Sequence, residues 1–138
     1  METFSLVAVG AGIGAAIAAS LLAGLIYGLG FAIDTAREHD PEHEPDAFDQ
    51  AFEQAGHTPG FIVQMLILSI GACVLSGAVT AWLSPAAPWL NATLVGAAGT
   101  LVSLLGAHNM PPVLTRLSLV VTLPATLAGA WGLSLLAG

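Results

Sequence analysis

The densest run of residues able to do chemistry is His39-Asp40-Pro41-Glu42-His43-Glu44-Pro45-Asp46, with His57 following. Hard carboxylates suit Ca²⁺ or Mg²⁺, and imidazole beside carboxylate suits Zn²⁺ or Cu²⁺. His39, Glu42 and His43 are therefore the candidate metal ligands, for a divalent cation at this acidic segment. Pro41 interrupts the helical turn that would bring His39 and His43 to one face, and no standard ligand spacing is matched. A solvated acidic loop accounts for the same residues. His57 and His108 each lie at the end of an apolar stretch. Such a pair could ligate a haem between helices; solvation at a helix end is the plainer account.

Near the start, Gly10-Ala11-Gly12-Ile13-Gly14-Ala15 follows Val7-Ala8-Val9 and matches the spacing of a dinucleotide fingerprint, with Asp34 further on. That motif works by placing helix N-terminal amides against a pyrophosphate after a buried strand, inside alternating βαβ units. Here the apolar run continues past Leu22 with no second strand, which makes these the glycines of a membrane helix. Nucleophilic or acid–base catalysis needs paired carboxylates, or a nucleophile with an oriented base. The apolar stretches contain neither, so the expectation is no enzyme and no cofactor. Asn91-Ala92-Thr93 fits the glycosylation sequon but lies where a helix enters the membrane.

The elements that must carry these residues follow from composition. Hydrophobic residues make up 56% of the 138, charged residues 8%, and mean hydropathy is +0.85. A soluble domain is about 25% charged, so lipid has to solvate most of this surface. The net charge of −7 belongs to one segment, because eight of the nine acids lie between Asp34 and Glu53. With no lysine and only Arg37 and Arg116, the chain lacks the clustered cations that nucleic acid or anionic headgroups require. The single Cys73 excludes an intramolecular disulfide. The first apolar stretch lacks the basic flank of a signal peptide and reads as a retained helix.

Crossing ~30 Å of hydrocarbon takes roughly 20 apolar residues. Residues 4–33, 60–83, 88–107 and 112–137 qualify, the first three free of charge and the fourth carrying only Arg116 near its start, and they are bounded by proline where turns are needed. Thr58 is placed to cap the second span and Pro59 to begin it. Pro124 should kink the fourth and free a carbonyl near Val120, which Thr122 or a neighbour would satisfy. The expected fold is an all-α integral membrane protein: a single domain of four transmembrane helices in an up-down bundle. Residues 34–58 form an acidic, histidine-containing loop outside the membrane. Within it Phe48, Ala51, Phe52 and Ala55 share one helical face and Asp46, Asp49, Gln50, Glu53 and Gln54 the other. This is a short amphipathic helix, ended by Gly56, whose apolar face rests on the bundle or the bilayer. Asp46, Asp49 and Glu53 would then face a partner with a basic surface.

Parity puts both termini and the second turn on one side of the membrane, with both arginines, all four histidines and eight acids on the other. The positive-inside rule assigns that second side to the cytoplasm, in what is expected to be a bacterial inner membrane. Small residues at spacing four mark candidate packing faces: Gly10/Gly14, Gly24/Gly28, Ser69/Cys73/Gly77 and Ala128/Gly132. Close backbone approach and dispersion, rather than hydrophobicity, hold helices together in lipid.

Transport normally needs ionisable groups inside the membrane. Exporters of the small multidrug resistance type carry a glutamate in their first helix, and none stands in residues 4–33; the charged or Asn-rich pore pattern of fluoride channels is also missing. The plan resembles that of small four-helix bacterial membrane proteins, a likeness of architecture that implies no activity. The expected function is a non-enzymatic membrane protein, acting as a homo-oligomer or as an accessory subunit, with the acidic loop as recognition surface. A small oligomeric channel or transporter is the alternative, and a metal-binding membrane protein the third. The expected partners are the bilayer and either itself or another membrane protein.

Overall fold

A computed structural model describes residues 4–38, 46–105 and 112–137. They form the helices α1 (Leu6–Glu38), α2 (Ala47–Gly56), α3 (Pro59–Leu83), α4 (Pro88–Leu105) and α5 (Pro112–Ala137). All but α2 are long and apolar enough to cross a membrane, and the chain is an integral membrane protein of the all-α bundle class.

Side chains and prolines set the helix starts. Ser5 caps α1, its hydroxyl accepting from the Ala8 N–H at 3.2 Å. Thr58 caps α3 as expected, accepting from Phe61 N–H at 3.4 Å, with Pro59 in the first turn. The Thr58 hydroxyl also donates to the Ala55 carbonyl at 2.7 Å, tying the end of α2 to the start of α3. Gly56 is the last residue of α2, but it does not enter a left-handed conformation: no described glycine has positive φ. Instead α2 closes with short bonds from His57 N–H to Gln54 O and Thr58 N–H to Ala55 O.

One boundary differs from expectation. The first helix continues past Ile33 to Glu38, and its 33 residues reach about 50 Å, well beyond a ~30 Å hydrocarbon core. Its last turns carry Asp34 and Arg37, 3.9 Å apart and both exposed, into water. The fifth helix runs through Pro124 as one element. Thr122 does not serve the Val120 carbonyl there, because its hydroxyl donates to Ser118 O at 2.6 Å.

The central helix of the bundle is α3, packed most extensively on α5 and next on α1. α4 lies against α5 and α3 and meets α1 at one end. The closest approaches occur at glycines. A methyl built on Gly77 would strike the Thr126 carbonyl, and one on Gly129 the Val74 carbonyl, so α3 and α5 touch backbone to backbone. A methyl on Gly96 would stand 3.3 Å from Leu123 Cα on α5, and one on Gly12 would strike the Thr80 hydroxyl and crowd Val95 and the Ser76 carbonyl.

Candidate functional site

Two polar features stand out on this scaffold: an acidic ledge on α2 outside the membrane, and a hydroxyl-lined cavity inside it.

The ledge is built on an aromatic cluster. Phe52 of α2 meets Phe31 of α1 and Phe61 of α3 edge-on, each at a centroid distance of 5.7 Å. Tyr27 stands behind them, 5.6 Å from Phe61 and 6.4 Å from Phe31. Such pairs contribute about 0.5–1.5 kcal/mol each beyond their buried area. They hold α2 against the end of the bundle with Ala51 and Ala55 half-buried, while Asp46, Asp49, Gln50, Glu53 and Gln54 are exposed. The amphipathic assignment is thus met by the described residues, the Phe48 side chain lying outside them, and Asp46, Asp49 and Glu53 lie on the outer face. His57 is exposed at the α2–α3 corner.

The proposed metal ligands His39, Glu42 and His43 lie outside the described residues, as does His108. Among the described residues no three His, Cys, Asp or Glu side chains converge to hold an ion.

The cavity has a volume of about 410 Å³ and takes its walls from all four membrane helices. Ser20 of α1, Ser69, Cys73 and Ser76 of α3, Ser103 of α4, and Thr122 and Thr126 of α5 contribute its polar groups. Several of these hydroxyls are committed. Ser76 donates to the Gly12 carbonyl across the α1–α3 contact at 2.7 Å, and Thr126 donates to Thr122 O at 2.8 Å. Ser20, Ser69 and Ser103, in contrast, bond to no group of the chain among the described residues. Of the cavity's lining residues, Ile17 and Leu21 of α1 and Val102 of α4 have 55%, 69% and 67% of their surface exposed. A second, shallower groove between α1 and α3, about 550 Å³, is apolar except for Tyr27 and Gln64.

Asn91 plays a structural part. It is fully buried; its amide donates to Ser84 Oγ at 2.7 Å and Ala87 O at 3.0 Å, and its carbonyl accepts from Ser5 N–H at 3.0 Å. That knot joins the start of α1 to the α3–α4 turn. It also hides the sequon nitrogen, which cannot receive a glycan while buried and bonded.

The candidate packing residues fall into two sets. Gly77 sits at the α3–α5 contact, while Cys73 and Ser69, one and two turns away, line the cavity. Gly10, Gly14, Gly24, Gly28 and Gly132 have no atom of another helix of this chain within 4 Å of a built methyl, and Ala128 is exposed. Gly12 and Gly129 make the contacts instead, as members of Ala8-Gly12-Ala16 and Ala125-Gly129, also at spacing four. Alanine is as small as these contacts need, and within the chain it is these two stripes of α1 and α5 that meet neighbouring helices.

The cavity is not among the features expected from the sequence. The available signal was Ser69, Cys73 and Ser76 on one face of α3, matched by Thr122 and Thr126 on α5. Comparison of the chain with protein-family models, curated proteins and solved structures gave no match.

Proposed function

We propose that this chain is a non-enzymatic multi-pass protein of a bacterial inner membrane, working as a homo-oligomer or as a small subunit of a larger membrane assembly. Its acidic ledge recognises a basic surface of the partner. The observation that carries this reading is the clamp of Phe52 against Phe31 and Phe61, which fixes α2 while Asp46, Asp49 and Glu53 project from it. A fixed row of carboxylates presents its charge without the ordering cost that a disordered acidic segment meets on binding. Helical rather than barrel spans suit an inner membrane. Arg37 and Arg116 lie at the same end of the bundle as α2, which favours a cytoplasmic ledge.

Changing Asp46 and Asp49 to Asn and Glu53 to Gln tests the reading. The bundle should melt unchanged, because these groups are exposed, and association with the partner should be lost. Wild-type association should weaken with salt, since exposed charges are screened beyond ~8 Å at physiological ionic strength. Association that survives both neutralisation and salt refutes the reading.

A second reading, a small transporter completed on oligomerisation, draws on the cavity reached by all four helices. Among the described residues no charged side chain lines that cavity, so an ion at this depth would meet no counter-charge from them. Uncharged cargo is the version of this reading that fits.

A further inference from the structure

We infer that the cavity between α1, α3, α4 and α5 is a binding site for an uncharged, lipid-soluble molecule bearing a hydroxyl group, entered sideways from the bilayer between α1 and α4.

Depth comes first. Ser69 and Thr122 each stand ten residues from the start of their helix. At 1.5 Å per residue that is about 15 Å, the middle of a ~30 Å core. Water is scarce there, and a hydroxyl without a partner is costly. Membrane helices usually satisfy such groups by returning them to the carbonyl four residues back. Thr80, Thr93, Thr100, Thr122 and Thr126 all do so here. Ser20, Ser69 and Ser103 do not, and all three face the same cavity. Their hydroxyls are free to donate, and beside them the Thr122 and Thr126 oxygens, which also meet the Cys73 thiol, each keep a lone pair that can accept.

The occupant's chemistry follows from the lining. With no charged side chain among the described residues at the cavity, a carboxylate, phosphate or ammonium would be desolvated without compensation from them. A phospholipid keeps its polar head at the interface and could offer only an acyl chain, leaving the three serines unsatisfied. An alcohol on an apolar body can both accept from a serine and donate to a threonine oxygen. The cavity's ~410 Å³ lies within the 300–1,000 Å³ typical of small-ligand sites. Ile17, Leu21 and Val102, more than half exposed on the flank of the bundle, make a largely apolar mouth with Ser20 among them, suited to entry from lipid rather than from water. This inference is independent of whether α2 recognises a partner.

The test uses the full chain in nanodiscs and decanol as probe. A diazirine analogue of decanol should label residues of α3 and α4 that line the cavity, Ser69 to Ser76 and Ala98 to Ser103, and excess decanol should compete. Decane at the same membrane content should not. Cys73, the only cysteine, lines the cavity and gives a second readout: decanol should slow its alkylation by N-ethylmaleimide severalfold. Ser20→Ala, at the exposed mouth, and Ser69→Ala with Ser103→Ala remove donors without adding bulk. Each lost hydroxyl should weaken competition roughly fivefold, the equivalent of one net hydrogen bond. Labelling spread over lipid-facing positions such as Leu25, Leu101 and Leu135 would overturn the inference. So would decane competing as well as decanol, or serine variants that bind like the wild type.

Discussion

Replacing Gly77 or Gly129 by alanine should damage the bundle, and replacing Gly10 or Gly14 should not. A methyl at Gly77 falls on the backbone carbonyl of Thr126, and one at Gly129 on that of Val74. Backbone cannot rotate aside as a side chain can. Non-bonded heavy atoms rest about 3.5 Å apart, so α3 and α5 would have to part by an ångström or more. That separation weakens dispersion along the most extensive contact in the molecule, which in lipid is a principal force between helices. Overpacking against backbone should cost about 3 kcal/mol, and the better helix propensity of alanine offsets about 1 kcal/mol of it. The net of about 2 kcal/mol is roughly a thirtyfold fall in the ratio of folded to unfolded chain. At Gly10 and Gly14 nothing lies within 4 Å, so alanine there should be neutral or slightly stabilising. Unfolding by sodium dodecyl sulfate in mixed micelles, followed by circular dichroism, measures all four variants on one scale. If Gly77→Ala and Gly129→Ala unfold at the same detergent fraction as Gly10→Ala, the packing register described here is wrong.

Asn91→Ala removes three hydrogen bonds and strands the Ser5 N–H; it should cost about 3 kcal/mol and expose the start of α1 to protease. Phe52→Ala should leave bundle melting nearly unchanged, because Phe52 is 44% exposed, yet release α2, seen as faster amide exchange over residues 49–56. Cysteines placed at Asp46 and Ala86 in a Cys73→Ser background should label from opposite sides of the membrane; labelling from one side would contradict the up-down bundle. Gly24→Leu with Gly28→Leu should leave the single-chain fold intact, since that face of α1 is open, and should lower the native mass if copies join through it.

The spans were legible because length, apolarity and proline are one-dimensional signals, and α2 was legible because it sits where one face meets water. Inward faces within the membrane were not legible. When lipid surrounds the bundle, outward residues are as apolar as inward ones, and periodicity no longer marks the packed side. Hence Gly10 and Gly14 looked as good as Gly12, and Ala128 as good as Gly129. Spacing identifies small-residue stripes but not which stripe meets a neighbour. The cavity was hidden for a related reason. Ser20, Ser69 and Ser103 are unremarkable on their own helices and become a set only when three helices bring them to one space. Asn91 was visible as a polar residue near a helix start, but its partners Ser5 and Ser84 depend on how α1 docks at the α3–α4 turn.

The most direct measurement of the central claim is native mass in mild detergent, taken at low and high salt. A recognition protein should leave the membrane as an assembly heavier than the 13.9 kDa chain, either in multiples of that mass or with an added partner. The assembly should fall apart as salt rises and should be missing when Asp46, Asp49 and Glu53 are neutralised. A bare 13.9 kDa species from wild-type membranes at low salt, indistinguishable from the neutralised variant, would contradict the account.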